Sequence, residues 1–122
     1  MGKRSKNCRD EQGKWDIGGG KLEFGLTLTE NLKKEIQEEY CCNIIESEFL
    51  GYDDVFRKQN GIDTHWLAMH FLVKIDPKQA KNGEPESIDE IKWFKINKLP
   101  KPMHSQLDKF FQRYKQKLVN TV

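Results

Sequence analysis

Glu35, Glu38 and Glu39 stand at i, i+3 and i+4 in a segment that reads as a helix, so three carboxylates share one helical face. Like charges at that spacing repel, each pair costing a helix roughly 0.2–0.5 kcal/mol. Such a face calls for solvent screening or a bound cation, and a hard divalent ion suits oxygen donors. Upstream, Gly18-Gly19-Gly20 leads into Lys21-Leu22-Glu23-Phe24-Gly25, a loop flexible enough to approach what the carboxylates hold. A second acidic patch follows at Glu84, Glu86, Asp89 and Glu90. In this constellation magnesium would be held by a few carboxylates together with substrate phosphate oxygens, which is the logic of diphosphate cleavage.

These groups need elements to position them. Lys14-Trp15-Asp16-Ile17 alternates, predicting a brief strand that delivers the chain into the glycines. The helix is expected to begin near Thr29, with its hydroxyl as the cap, and to bury a stripe of Leu32, Ile36 and Tyr40. Residues 44–57 turn β-like, and Gln59-Asn60-Gly61 is a strong hairpin signal. The return strand, over residues 63–75, points His65, Leu67, Met69, Phe71 and Val73 one way and Trp66, Ala68, His70 and Leu72 the other. Both faces are largely apolar, so it is expected to be buried on both sides between layers. His65 and His70 then face opposite ways and share no metal. A short strand at Ile91-Lys92-Trp93-Phe94 and a break at Leu99-Pro100-Lys101-Pro102 follow. Leu107, Phe110, Phe111, Tyr114 and Leu118 trace the stripe of a final amphipathic helix.

At 122 residues the chain is expected to form a single domain over residues 1–122. With 21 basic and 19 acidic residues its balance is +2, and four scattered cations at Lys3, Arg4, Lys6 and Arg9 give no strong nucleic-acid signal. Cys8, Cys41 and Cys42 are odd in number and two are adjacent, which suits neither a disulfide framework nor a zinc site and points to a reducing cytoplasm. No apolar run reaches the roughly 20 residues of a membrane span.

Residues 20–42 resemble a Nudix box, G-x5-E-x7-R-E-U-x-E-E-x-G-U with U aliphatic: Glu35, Ile36, Glu38 and Glu39 match its E-U-x-E-E core at the right distance from Gly20. Trp15-Asp16-Ile17, Lys21-Leu22-Glu23-Phe24-Gly25 and Glu90-Ile91-Lys92-Trp93-Phe94 also resemble family positions, so the likeness runs from about Lys3 to Leu107. It implies an α/β/α sandwich of the Nudix type with a mixed β-sheet, the family's N-terminal strand being missing or truncated. It implies Mg2+ or Mn2+ on Glu35, Glu38 and Glu39, with the Gly19 carbonyl as a further ligand. The catalytic residues would be Glu35, Glu38 and a downstream acid, Glu90. Lys21, Glu23 and Asp89 would contact substrate, and Trp66 offers a face on which a base could stack.

Three positions depart from the box: its first glutamate is Leu26, its arginine Lys34 and its glycine Cys41. The glutamate and arginine commonly support each other and the helix in the family, so this brace is expected to be absent here, and Lys34 lacks the bidentate fork of arginine. The activity implied is hydrolysis of a nucleoside diphosphate linked to X, foremost a nucleoside triphosphate cleaved to a nucleoside monophosphate. Alternatives are an ADP-ribose or sugar-nucleotide pyrophosphatase, a weakly active or inactive nucleotide-binding domain, and a protein-interaction module. The uncovered sheet edge favours a homodimer.

Overall fold

The computed structural model describes residues 1–120. Strand β1 (Gly2–Arg4) lies between β2 (Trp15–Asp16) and β5 (Ile88–Ile91), antiparallel to both. After the Pro100 and Pro102 break the chain returns beside β2, where Trp15 N donates to Pro102 O at 2.9 Å and His104 N to Trp15 O at 2.8 Å. This isolated bridge between Trp15 and Met103 is parallel, whereas the pairings between the strands are antiparallel rather than mixed.

A separate two-stranded sheet is the hairpin of β3 (Glu46–Gln59) and β4 (Ile62–Lys74). Asn60 and Gly61 turn it with φ of 52° and 77°, the positive values a two-residue turn needs, as the sequence predicts. A register shift between Phe49 and Gly51 bends β3 beside the terminal helix α2 (Leu107–Val119). Gly51 is required there because an added Cβ would lie 2.6 Å from the Tyr114 hydroxyl. The predicted α2 stripe packs onto the hairpin: His70 meets Phe110 and Tyr114 edge-on at 4.9 and 5.6 Å between centroids, and Arg113 donates to Tyr52 O at 2.8 Å.

Helix α1 (Leu28–Tyr40) begins next to its expected start, but its cap lies two residues upstream of the expected one. Thr27, not Thr29, is the cap, because Thr27 and Glu30 form a reciprocal capping box, each side chain accepting the other's backbone N–H at 3.1 Å. At the other end Cys41 adopts a left-handed conformation, φ 56°, where glycine is usual, at a cost of about 1 kcal/mol. Amides of a following loop satisfy the last carbonyls, Lys81 N on Tyr40 O and Gly83 N on Glu39 O, both at 2.9 Å.

Two further expectations are corrected. The last strand is Ile88–Ile91 rather than residues 91–94, because register against β1 (Gly2 opposite Ile91, Lys3 opposite Glu90) carries the pairing upstream. Phe94 instead packs edge-on against buried Trp15, 5.0 Å between centroids. Nor is β4 buried on both sides: Leu67 is 62% and Met69 41% exposed. Its apolar residues face a cleft of about 1360 Å³ that lies between β4, α1, α2 and the segment after β5.

Candidate active site

The glycine loop lies directly on the acidic face of α1. Gly19 N–H donates to Glu39 Oε1 at 3.2 Å. A Cβ at Gly18 would fall on the Glu39 carboxylate and press on the Tyr40 hydroxyl, and one at Gly20 would fall on the Glu35 carboxylate. Glycine here allows close approach, since a methyl at either position would displace the carboxylate beneath it, rather than serving an unusual φ. The next residues are clamped by Asn31, a buried amide on α1 whose Nδ2 donates to Lys21 O at 3.1 Å and whose Oδ1 accepts from Glu23 N at 3.0 Å. Asn31 was not singled out from sequence, although a buried amide one turn before Glu35 is the signal that could have found it.

The brace expected to be missing is built differently. Lys34 Nζ lies 2.5 Å from Glu23 Oε2 and 3.1 Å from Glu38 Oε1, so Glu23 supplies the carboxylate that Leu26 cannot. The same loop swings Lys21 Nζ over the Trp66 ring, 5.2 Å from its centroid, while the Trp66 indole N–H is held by Thr64 Oγ1 at 3.0 Å. Residues 18–20 and Glu35 line one end of the cleft.

Burial pushes the Glu39 carboxyl up to about 8, against the donating Gly19 amide, with Glu84, Glu35 and Asp16 adding repulsion. Glu35 is raised as well, by burial first and then by Glu38 and Glu84, and Asp16 is raised by burial. Glu84 thus joins the acidic set, where the sequence marked it only as part of a patch. Crowded carboxylates that resist ionisation are a donor set that a divalent cation would relieve. Among the described residues no three His, Cys, Asp or Glu side chains form a ready-made metal cluster. Magnesium does not require one, being held by one or two carboxylates plus waters and substrate phosphates, so the donor chemistry fits.

The raised Glu39 has a consequence for metal-free protein. Its native pKa of about 8 exceeds the ordinary 4.5, so between those values the native state holds a proton that the unfolded chain has lost, and stability falls as pH rises through that window. In chelator, the thermal midpoint is expected to fall more steeply from about pH 5 to 8 than that of Glu39→Gln. Parallel curves would show that Glu39 is not the group responsible.

The remaining residues lie elsewhere. Asp89 and Glu90 are exposed on β5, with Glu90 opposite Lys3, and neither lines the cleft. Trp93 lines the cleft and is 59% exposed. His65 and His70 are held separately, by Asp54 at 2.6 Å and by Asp53 at 3.0 Å.

The profile of the NUDIX domain matches residues 1–114. An oxidized purine nucleoside triphosphate hydrolase of Danio rerio is 29% identical over 92 residues, covering 72% of this chain and 53% of the relative. The chain therefore spans about half the length of that protein. A MutT NUDIX hydrolase from Burkholderia pseudomallei superimposes with a TM-score of 0.78 at 24% identity, covering 92% of this chain and 84% of the other, a likeness of fold. No helix among the described residues is long and apolar enough to cross a membrane. With most of its length matched by the domain profile and its glycine loop seated on the acidic helix, this chain belongs to the NUDIX family.

Proposed function

We propose that the chain is a divalent-cation-dependent pyrophosphohydrolase that cleaves nucleoside triphosphates to nucleoside monophosphate and pyrophosphate. The observation that carries this reading is the seating of residues 18–20 on Glu35 and Glu39, which brings loop backbone and carboxylates to one spot. The triphosphate preference draws on the Danio rerio relative.

Glu35, Glu38 and Glu39 would hold Mg2+ or Mn2+, with Gly19 beside them. When bound, the cation offsets charge on the diphosphate oxygens and on the departing pyrophosphate. Glu35 or Glu38 accepts the proton of the attacking water as its oxygen bonds to phosphorus, a role for which Glu90, exposed on β5 and away from the cleft, is not placed. Lys21 can leave the Trp66 face to meet a phosphate, freeing the indole to stack on the base. Glu23 acts through Lys34, fixing the helix face that carries Glu38.

Release of nucleoside monophosphate from a panel of nucleoside triphosphates, ADP-ribose and sugar nucleotides, with Mg2+ or Mn2+, tests this reading. Triphosphates should be turned over fastest. Nucleotide binding without turnover of any member would leave a binding domain instead.

The brace makes its own prediction. Glu23→Gln should lower the rate about 10-fold, the lower end of the effect of removing an outer-shell partner, with little change in stability because the pair is exposed. Leu26→Glu should change the rate by less than about fivefold, since Lys34 already has two carboxylate partners. Initial rates of the two variants under identical conditions check both.

A further inference from the structure

Charge is divided unevenly along the chain. Residues 1–91 carry 18 acidic and 13 basic side chains, whereas residues 92–122 carry one acid, Asp108, and eight bases. The overall balance of +2 therefore conceals a C-terminal part at +7 and a remainder at −5. Folding does not neutralise the excess. Arg113 reaches Asp53 and Lys117 reaches Glu48, both on β3. Lys92, Lys95, Lys98, Lys101, Lys109 and Lys115 are exposed, and none of them has a carboxylate within ion-pair distance among the described residues.

Four of these lysines recur every third residue, at 92, 95, 98 and 101. Neighbours in that row have Cα atoms at most about 11 Å apart. Lys95 and Lys98 are closer still, in a turn closed by Lys98 N on Lys95 O at 2.9 Å. The Debye length at 0.1 M salt is about 10 Å, so neighbouring ammonium groups reinforce one another's field. Such a row attracts a polyanion.

The surroundings select which polyanion. An anionic membrane takes up an amphipathic helix whose apolar face is free. The apolar face of α2 is occupied, with Phe110 and Tyr114 packed on His70 of the hairpin. An acidic protein surface calls for cations but for no exposed ring. Here Trp93, 59% exposed, stands in the row between Lys92 and Lys95. An exposed indole among ammonium groups suits a nucleic-acid strand, with phosphates on the cations and a base on the ring.

We propose that residues 92–101 form a docking surface for single-stranded nucleic acid, held without sequence preference by Lys92, Lys95, Lys98 and Lys101 and by stacking on Trp93. The surface needs no terminal phosphate and is independent of whether the chain hydrolyses nucleotides.

The test titrates the full chain into an oligothymidylate of about 12 nucleotides, within the site sizes of such surfaces, read by anisotropy. The strand carries fluorescein at its 3′ end and a 5′ hydroxyl, which offers no diphosphate to the acidic helix. Saturable binding is expected, weakening about 50-fold between 50 and 200 mM salt if four phosphates are neutralised. The triple variant Lys95→Glu, Lys98→Glu, Lys101→Glu should bind at least about tenfold more weakly. Lys74→Glu, Lys78→Glu, Lys81→Glu makes the same change in net charge at exposed lysines of the acidic part, and should shift the affinity by less than about threefold. Trp93→Ala should weaken binding about fivefold or more. On the unmodified chain, which removes any concern that a variant misfolds, the strand should shield Lys95, Lys98 and Lys101 from acetylation and leave Lys74, Lys78 and Lys81 reactive. Absence of binding at 50 mM salt, equal weakening by the two triple variants, unchanged acetylation of Lys95, Lys98 and Lys101, or an oligoglutamate of equal charge that competes as well as unlabelled strand would each overturn the proposal.

Discussion

Glu38→Gln is expected to lower the rate of nucleoside triphosphate hydrolysis by about 10²–10³-fold, the range seen when one charge-stabilising group is removed from an active site. The substitution keeps the size of the side chain and removes its charge. Glu38 is exposed and is held in an exposed pair with Lys34 at 3.1 Å, so the thermal midpoint should barely move. A large fall in rate with an unchanged midpoint separates a chemical role from a structural one. Initial rates at saturating Mg2+, together with thermal unfolding, make the comparison. A rate within a few-fold of the parent would remove Glu38 from the reaction.

Gly20→Ala should cost about 10²-fold in rate, for a different reason: a small misplacement of a reacting group is enough for such a loss. The new methyl would fall on the Glu35 carboxylate, so either Glu35 swings away or the loop lifts off α1. Stability should hold or rise slightly, because Gly20 has no positive φ and alanine restricts the unfolded chain. Opposed effects on rate and midpoint are the signature to look for. If both fall together, the loop contributes to folding rather than to positioning Glu35.

Much of this arrangement is legible in the residues, for identifiable reasons. The hairpin at Asn60 and Gly61 and the α2 stripe are local signals, carried by turn chemistry and by a repeat of 3.6. The seating of residues 18–20 against Glu35 and Glu39 follows from spacing within one short stretch. The Thr27 cap was equally local, since Thr27 and Glu30 have the spacing of a capping box, yet Thr29 looked as good a hydroxyl.

What escaped reading depends on where separate segments meet. The limits of β5 are set by pairing with β1, which no pattern inside residues 88–94 encodes. Glu23 finds Lys34 because Asn31 bends the loop back onto α1, so a brace that looked lost at Leu26 is made from another carboxylate. The apolar character of β4 predicts burial under two layers. Its side chains instead face a cleft, where several stay partly exposed.

The most direct test of the central claim is product analysis after incubation of a nucleoside triphosphate with Mg2+, with and without excess chelator. The account predicts nucleoside monophosphate and pyrophosphate in equal amounts, formed only when the cation is free. Nucleotide recovered intact in the presence of Mg2+ across the whole triphosphate panel, while binding is retained, would contradict it.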